Sequence, residues 1–191
     1  MITRASSFLS HVFRPLLWAL LGGAGLVATN QALAALNEGD KAPDFSVEAT
    51  VGGEALHFHL AEALKSGPVV LYFYPKAFTK GCTIEAHEFA EATPKFKALG
   101  ATVIGISTDD IATLKKFSVE ACRSQFAVAA DTDGQVTKAF DAGIPMMSMS
   151  SRISYLITPD AHIAAVYKSM SPEGHVDTMM KAAAQLKAAG H

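Results

Sequence analysis

The spacing of apolar and polar positions changes several times along this chain, and each change marks an element. "PVVLYFYP", Pro68 to Pro75, is a continuous apolar run rich in β-formers. It predicts a strand buried on both faces, and Pro75 stops it. From Thr79 to Leu99 the pattern turns helical: Ile84, His87, Phe89, Ala90, Pro94, Phe96 and Leu99 recur every three or four residues, with Gly100 as the stop. Pro94 inside that run predicts a kink or a break. "ATVIGIS", Ala101 to Ser107, is a second buried strand, and "FAVAAD" is a third. Between them "TDDIATLKKFSVEAC" reads as a helix with acidic residues ahead of it, where they favour its N-terminal dipole.

The two ends of this alternation differ from its middle. Alternation at Phe45 and Val47, a "VGG" turn, and alternation at Leu56, Phe58 and Leu60 predict a small N-terminal hairpin. "LAEALKSG" is a short helix ended by Gly67, and "QVTKAFDAG" is a helix closed by Gly143. "ISYLIT" and "HIAAVYKSM", joined by "PDA", read as a second hairpin. "PEGHVDTMMKAAAQLKAAG" closes the chain as a helix. Strands alternating with helices imply an α/β sheet covered on both faces. The sequence carries no repeat, linker or second domain in its mature part.

The first 34 residues depart from this plan. Arg4, His11 and Arg14 precede any acid, and an apolar stretch follows from Pro15 to Ala28. That stretch is short and glycine-rich beside the ~20 apolar residues a membrane span takes. It leads to "ALA", Ala32 to Ala34, a small-x-small cleavage pattern. The expectation is a signal peptide over 1–34, cut near Ala34–Ala35, and one mature domain over 35–191; an uncleaved anchor is the alternative. The mature protein is then periplasmic or secreted, with no membrane segment.

Composition adds exclusions. Half the residues are apolar and the formal charge is -2, so no basic field is available for nucleic acid. The chain carries no Walker loop, dinucleotide glycine fingerprint or serine elbow. His57 and His59 share a strand face but lack accompanying metal-ligand types, so neither a metal nor another cofactor is predicted. Met146, Met147 and Met149 precede Arg152 in a segment read as a flexible loop; copper(I) ligation or an apolar rim for an organic peroxide are its other readings.

Chemistry concentrates at "YPKAFTKGCTIEAH", Tyr74 to His87. The first buried strand runs straight into the helix that bears Cys82, and ligand crevices lie at the carboxyl ends of such strands. Cys82 falls in the first turn of that helix, where unpaired N–H groups and the dipole favour a thiolate. Thr79 is near enough to offer its hydroxyl, and Pro75 to shield the sulfur. The same spacing also suits a buried inert cysteine with Thr79 as an N-cap.

"YFYPKAFTKGCT" resembles the Pro-x-x-x-Thr-x-x-Cys signature of the peroxiredoxins, in the bacterioferritin-comigratory or PrxQ branch. "GDKAPDF", "VIGISTDD", "DTDGQVTKAF" and "RISYLITPD" extend the resemblance over about residues 38 to 188. It implies a thioredoxin-like fold, with a central mixed sheet, helices on both faces and an N-terminal hairpin extension. It also implies an antioxidant thiol peroxidase, acting on hydrogen peroxide and organic hydroperoxides and recycled by a thioredoxin-like reductant. Cys82 would be the attacking cysteine, Thr79 would hold the peroxide, Pro75 would cover the site, Arg152 would stabilise the charges and Glu85 would orient Arg152. His87 stands where many relatives place a second cysteine. Cys122, one helical turn beyond Ser118, is the remaining candidate to resolve the oxidised sulfur; an external thiol is the alternative. Relatives in this branch are often monomers, which sets that expectation here. A disulfide oxidoreductase on the same fold is the competing function, but its C-x-x-C would need a cysteine where Glu85 stands.

Overall fold

The computed structural model describes residues 35–190, so the predicted signal peptide lies outside the described residues. Seven strands form one mixed sheet: β1 (Ser46–Val51), β2 (Glu54–His59), β3 (Val69–Phe73), β4 (Thr102–Ser107), β5 (Ala127–Ala130), β6 (Ile153–Ile157) and β7 (Ile163–Lys168). Their order is β2-β1-β5-β4-β3-β6-β7. The three central strands β5, β4 and β3 are parallel, as their apolar runs required, and each end of the sheet is closed by an antiparallel hairpin. The N-terminal hairpin joins through β1, which pairs with β5.

Alternate residues of β3 divide the core. Val70 and Tyr72, with Tyr74 beyond the strand, point to the face covered by α2 (Lys80–Ala98), α3 (Ile111–Glu120) and α5 (His175–Ala188). Val69, Leu71 and Phe73 point to the other face, covered by α1 (Leu60–Leu64) and α4 (Gln135–Ala139). Tyr72 stacks on Phe89 of α2 with ring centroids 4.3 Å apart. Gly105 of β4 makes this possible, because a Cβ there would stand 2.7 Å from the Tyr72 ring.

A break at Pro94 and the reach of α3 to Cys122 both need correction. α2 runs unbroken through Pro94. The proline ring is exposed, Phe89 and Phe96 on either side of it are buried, and the Thr93 hydroxyl donates to Phe89 O at 2.7 Å. Packing of those turns outweighs the ~3 kcal/mol that an interior proline costs. α3, in contrast, stops at Glu120, before Cys122. Arg123 and Ser124 both adopt left-handed backbone, φ 50° and 56°, and Ser124 N–H reaches back to Ser118 O. Cys122 therefore lies in the turn after the helix. The Ser118 hydroxyl, one turn earlier, bonds Gly53 N–H of the β1–β2 turn instead.

Candidate active site

The site begins where β3 ends. Residues 75–79 form a short loop pinned by Asp109, whose Oδ2 accepts from Ala77 N–H at 2.7 Å and from the Ser107 hydroxyl at 2.9 Å. Phe78 sits in left-handed backbone at φ 63°, a conformation that costs a non-glycine residue roughly 1–2 kcal/mol. Its ring lies edge-on to Phe117 of α3 at 5.2 Å, which offsets part of that cost. Thr79 occupies the N-cap of α2 in extended geometry, yet its hydroxyl does not cap the helix. It donates to Lys76 O at 3.0 Å, so its lone pairs face outward from an exposed residue. Pro75, half-buried, opens the loop. Cys82 follows as the third helical residue, 2% exposed.

Arg152 arrives from the neighbouring strand. Phe73 pairs with Ile153 across β3 and β6, so Arg152 lies at the same sheet edge as Tyr74. Ser150 and Ser151 tie down its approach through Tyr74 O and Ala142 O. All three guanidinium nitrogens are committed. Nη2 stands 3.4 Å from Cys82 Sγ, Nη1 bonds Glu85 Oε2, and Nε donates to Met170 O at 3.1 Å. Glu85 reaches this point because it lies three residues after Cys82 on one side of α2. Arg152 and Glu85 are both buried, at 4% and 0% exposure. Burial pushes the Glu85 carboxyl up to about 8, against the pull of Arg152. Burial also works against the charge on Arg152, but Glu85 and the Cys82 sulfur outweigh it and raise the guanidinium above its ordinary value. The result is one desolvated cation aimed at one sulfur.

Gly81 completes the geometry. A Cβ there would lie 3.1 Å from Arg152 Nη2, so the guanidinium reaches the sulfur over a residue without a side chain. The reading of the sequence missed Gly81, Asp109 and the Met170 carbonyl. A signal existed for Gly81: glycine in a first helical turn costs stability relative to alanine and needs another reason.

The remaining candidates separate. Cys122 is fully buried in the same apolar cluster as Cys82, and both are free thiols. Burial pushes the Cys122 thiol well above its ordinary range. His87 is half-buried on α2. His57 and His59 sit on β2, where His59 bonds Asp44 at 2.8 Å. Met147 and Met149 line a cleft of about 510 Å³ with Thr108, Lys138 and Lys168, while Met146 at φ 63° is fully exposed.

A model of the AhpC/TSA family matches residues 38–166. A chloroplastic peroxiredoxin Q of Populus jackii is 31% identical over 156 residues, covering 80% of this chain and 70% of that protein. The chloroplastic peroxiredoxin Q of Arabidopsis thaliana is 35% identical, covering 78% and 67%. Among solved structures, peroxidoxin BcpB from Mycobacterium tuberculosis superposes with a TM-score of 0.72 at 29% identity, covering 79% of this chain and 98% of that one. Enterococcus faecalis AhpC, at 21% identity and a TM-score of 0.73, covers 81% and 95% and shares the fold.

Proposed function

The chain belongs to the AhpC/TSA family and is a peroxiredoxin of the bacterioferritin-comigratory or PrxQ branch, a thiol peroxidase; from that premise we propose that Cys82 is its peroxide-attacking residue. The observation that carries this is the Arg152 guanidinium, buried and 3.4 Å from Cys82 Sγ. A thiolate there attacks the terminal oxygen of a hydroperoxide. The S–O bond forms as the O–O bond breaks, sulfur is oxidised to the sulfenic acid, and the departing hydroxide or alkoxide takes a proton to leave as water or alcohol. Negative charge moves from sulfur to the leaving oxygen, and a fixed cation with aimed donors is strongest where charge shifts in this way. Thr79, with its own hydrogen on Lys76 O, accepts from the peroxide O–H. Pro75 excludes water from the mouth, and Glu85 keeps Arg152 on axis. Both hydrogen peroxide and organic hydroperoxides are substrates in this reading.

Cys122 resolves the sulfenic acid. Its thiol attacks the oxidised sulfur, water leaves, a Cys82–Cys122 disulfide forms, and a thioredoxin-like thiol reductant restores the pair. Both cysteines line one apolar cluster, and Cys122 follows the end of a helix in a left-handed turn, where the backbone can open without unwinding a full element. One equivalent of peroxide added to the reduced protein, followed by peptide mass mapping, yields the Cys82–Cys122 link. Sulfenic or sulfinic Cys82 without that link removes Cys122 from the cycle. An unoxidised Cys82 removes the peroxidase assignment of this residue.

The protein works as a monomer outside the cytoplasm. The support for export is the Arg4–Ala34 segment with its charged start, apolar middle and small-residue end. The intact mass of protein made in a bacterial host shows a start near Ala35; a start at Met1 overturns the export reading.

A further inference from the structure

His175 is fully buried at the start of α5 and belongs to no step above. Gly174 delivers it, in left-handed backbone at φ 88°, where a Cβ would come 2.7 Å from the Tyr167 hydroxyl. The Tyr167 ring then meets the imidazole edge-on at 4.7 Å. Nε2 lies 3.0 Å from Ser169 O. A carbonyl only accepts, so Nε2 carries a hydrogen. Nδ1 lies 2.8 Å from Ser154 Oγ and 3.6 Å from Glu85 Oε1. In the neutral ring Nδ1 is a lone pair that takes the Ser154 hydrogen, and it offers Oε1 nothing. Glu85 Oε1 is in fact buried without a hydrogen-bond partner among the described residues.

The carboxyl is therefore held asymmetrically. Oε2 takes Arg152 Nη1, so a proton on Glu85 sits on Oε1, facing Nδ1 across 3.6 Å. A small side-chain rotation closes that gap to hydrogen-bond length. We propose that His175 is a positioning residue for the peroxide reaction: in place of the Ser154 hydrogen, the Nδ1 lone pair of its neutral imidazole accepts a hydrogen bond from the protonated Glu85 carboxyl, so that Glu85 keeps its proton and orients Arg152 without cancelling the charge presented to Cys82. The surroundings favour that distribution. Burial, with Arg152 adding to it, lowers His175 to about 4. Burial raises Glu85, and Glu88 on the same helix adds to the rise. Glu173 and Asp177, from the α5 side, act on Glu88 in turn. Without His175 the carboxyl loses its acceptor, ionises more readily and neutralises Arg152.

This inference rests on Cys82 as the reactive thiol, but its test needs no peroxide and so returns a result even if peroxidase activity is absent. Reduced protein is alkylated with iodoacetamide across a pH series, and the Cys82 peptide is quantified by mass. His175→Ala moves the midpoint of the rate–pH curve up by about one unit. His175→Asn, which keeps a polar atom at the place of Nδ1, restores most of it. In a Glu85→Gln background, which mimics the protonated carboxyl, His175→Ala causes no further shift. An unmoved midpoint, or an equal shift in the Glu85→Gln background, overturns the proposal. Ser154→Ala keeps the test decisive where His175→Ala does not fold. It leaves the imidazole and removes the hydroxyl competing for Nδ1, so the midpoint moves down; a midpoint that stays or rises overturns the proposal.

Discussion

Cys82→Ser leaves the fold intact and lowers peroxide consumption to the rate of peroxide in buffer. The fold survives because the substitution exchanges one small buried group for another, and Arg152 Nη2, 3.4 Å from the sulfur, remains as a donor to the new hydroxyl. Activity does not survive because an alcohol stays protonated at neutral pH and has no sulfenic state to enter. Cys122 cannot take over. In the closed fold it has no exposed surface to meet peroxide and burial holds its thiol protonated, and without Cys82 there is no sulfenic acid for it to resolve. A peroxide electrode with sub-stoichiometric peroxide, read over seconds, makes the comparison before slow oxidation of the exposed Met146 and Met147 matters. Rapid thiol-dependent consumption by Cys82→Ser would place the nucleophile elsewhere and end the assignment.

The legible parts of this molecule were those encoded in neighbouring residues. Val69–Phe73 and Thr102–Ser107 announced themselves because strands buried on both faces need unbroken apolar runs. The hairpins were legible from alternation and turn residues. Where tertiary packing overrides local preference, the reading failed: α2 passes Pro94, and α3 ends short of Cys122 because of a turn that no glycine or proline marks. The site divides in the same way. Pro75, Thr79 and Cys82 lie close enough in sequence to suggest a reactive thiol by spacing. Arg152 is 67 residues from Glu85, and no local pattern joins them. That pairing could be expected only through the family resemblance. His175 had no such help: a buried histidine opening a helix differs in no sequence feature from the exposed ones.

Arg152→Ala slows the reaction of Cys82 with peroxide by about a hundred- to a thousand-fold. Unit charges ~4 Å apart attract by about 4 kcal/mol at an effective dielectric of 20, which covers that range. The same change also destabilises the protein, and the two effects have to be separated. Removing one partner of a buried ion pair costs about 3–5 kcal/mol where the other stays charged, and here that applies only as pH rises toward the value at which Glu85 ionises. The orphan here is Glu85, whose folded value is already raised from 4.5 to about 8. A raised carboxyl contributes its stability in full below about 4.5 and loses it as pH climbs through 8, because the folded state holds the extra proton. Without Arg152 the carboxyl loses the cation that favours its ionisation, the folded value rises further, and melting temperature falls more steeply with pH than in the parent. Gly81→Ala gives a milder displacement with the opposite effect on stability. Its Cβ presses on Nη2 and costs on the order of ten-fold in rate, while alanine in the helix adds up to ~1 kcal/mol. Arg152→Ala combined with Glu85→Gln removes the ionisable carboxyl, so melting temperature at high pH and its pH dependence recover while the rate stays low. If the rate recovers as well, Arg152 serves only to neutralise Glu85, and the direct contact with Cys82 Sγ has no part in the chemistry.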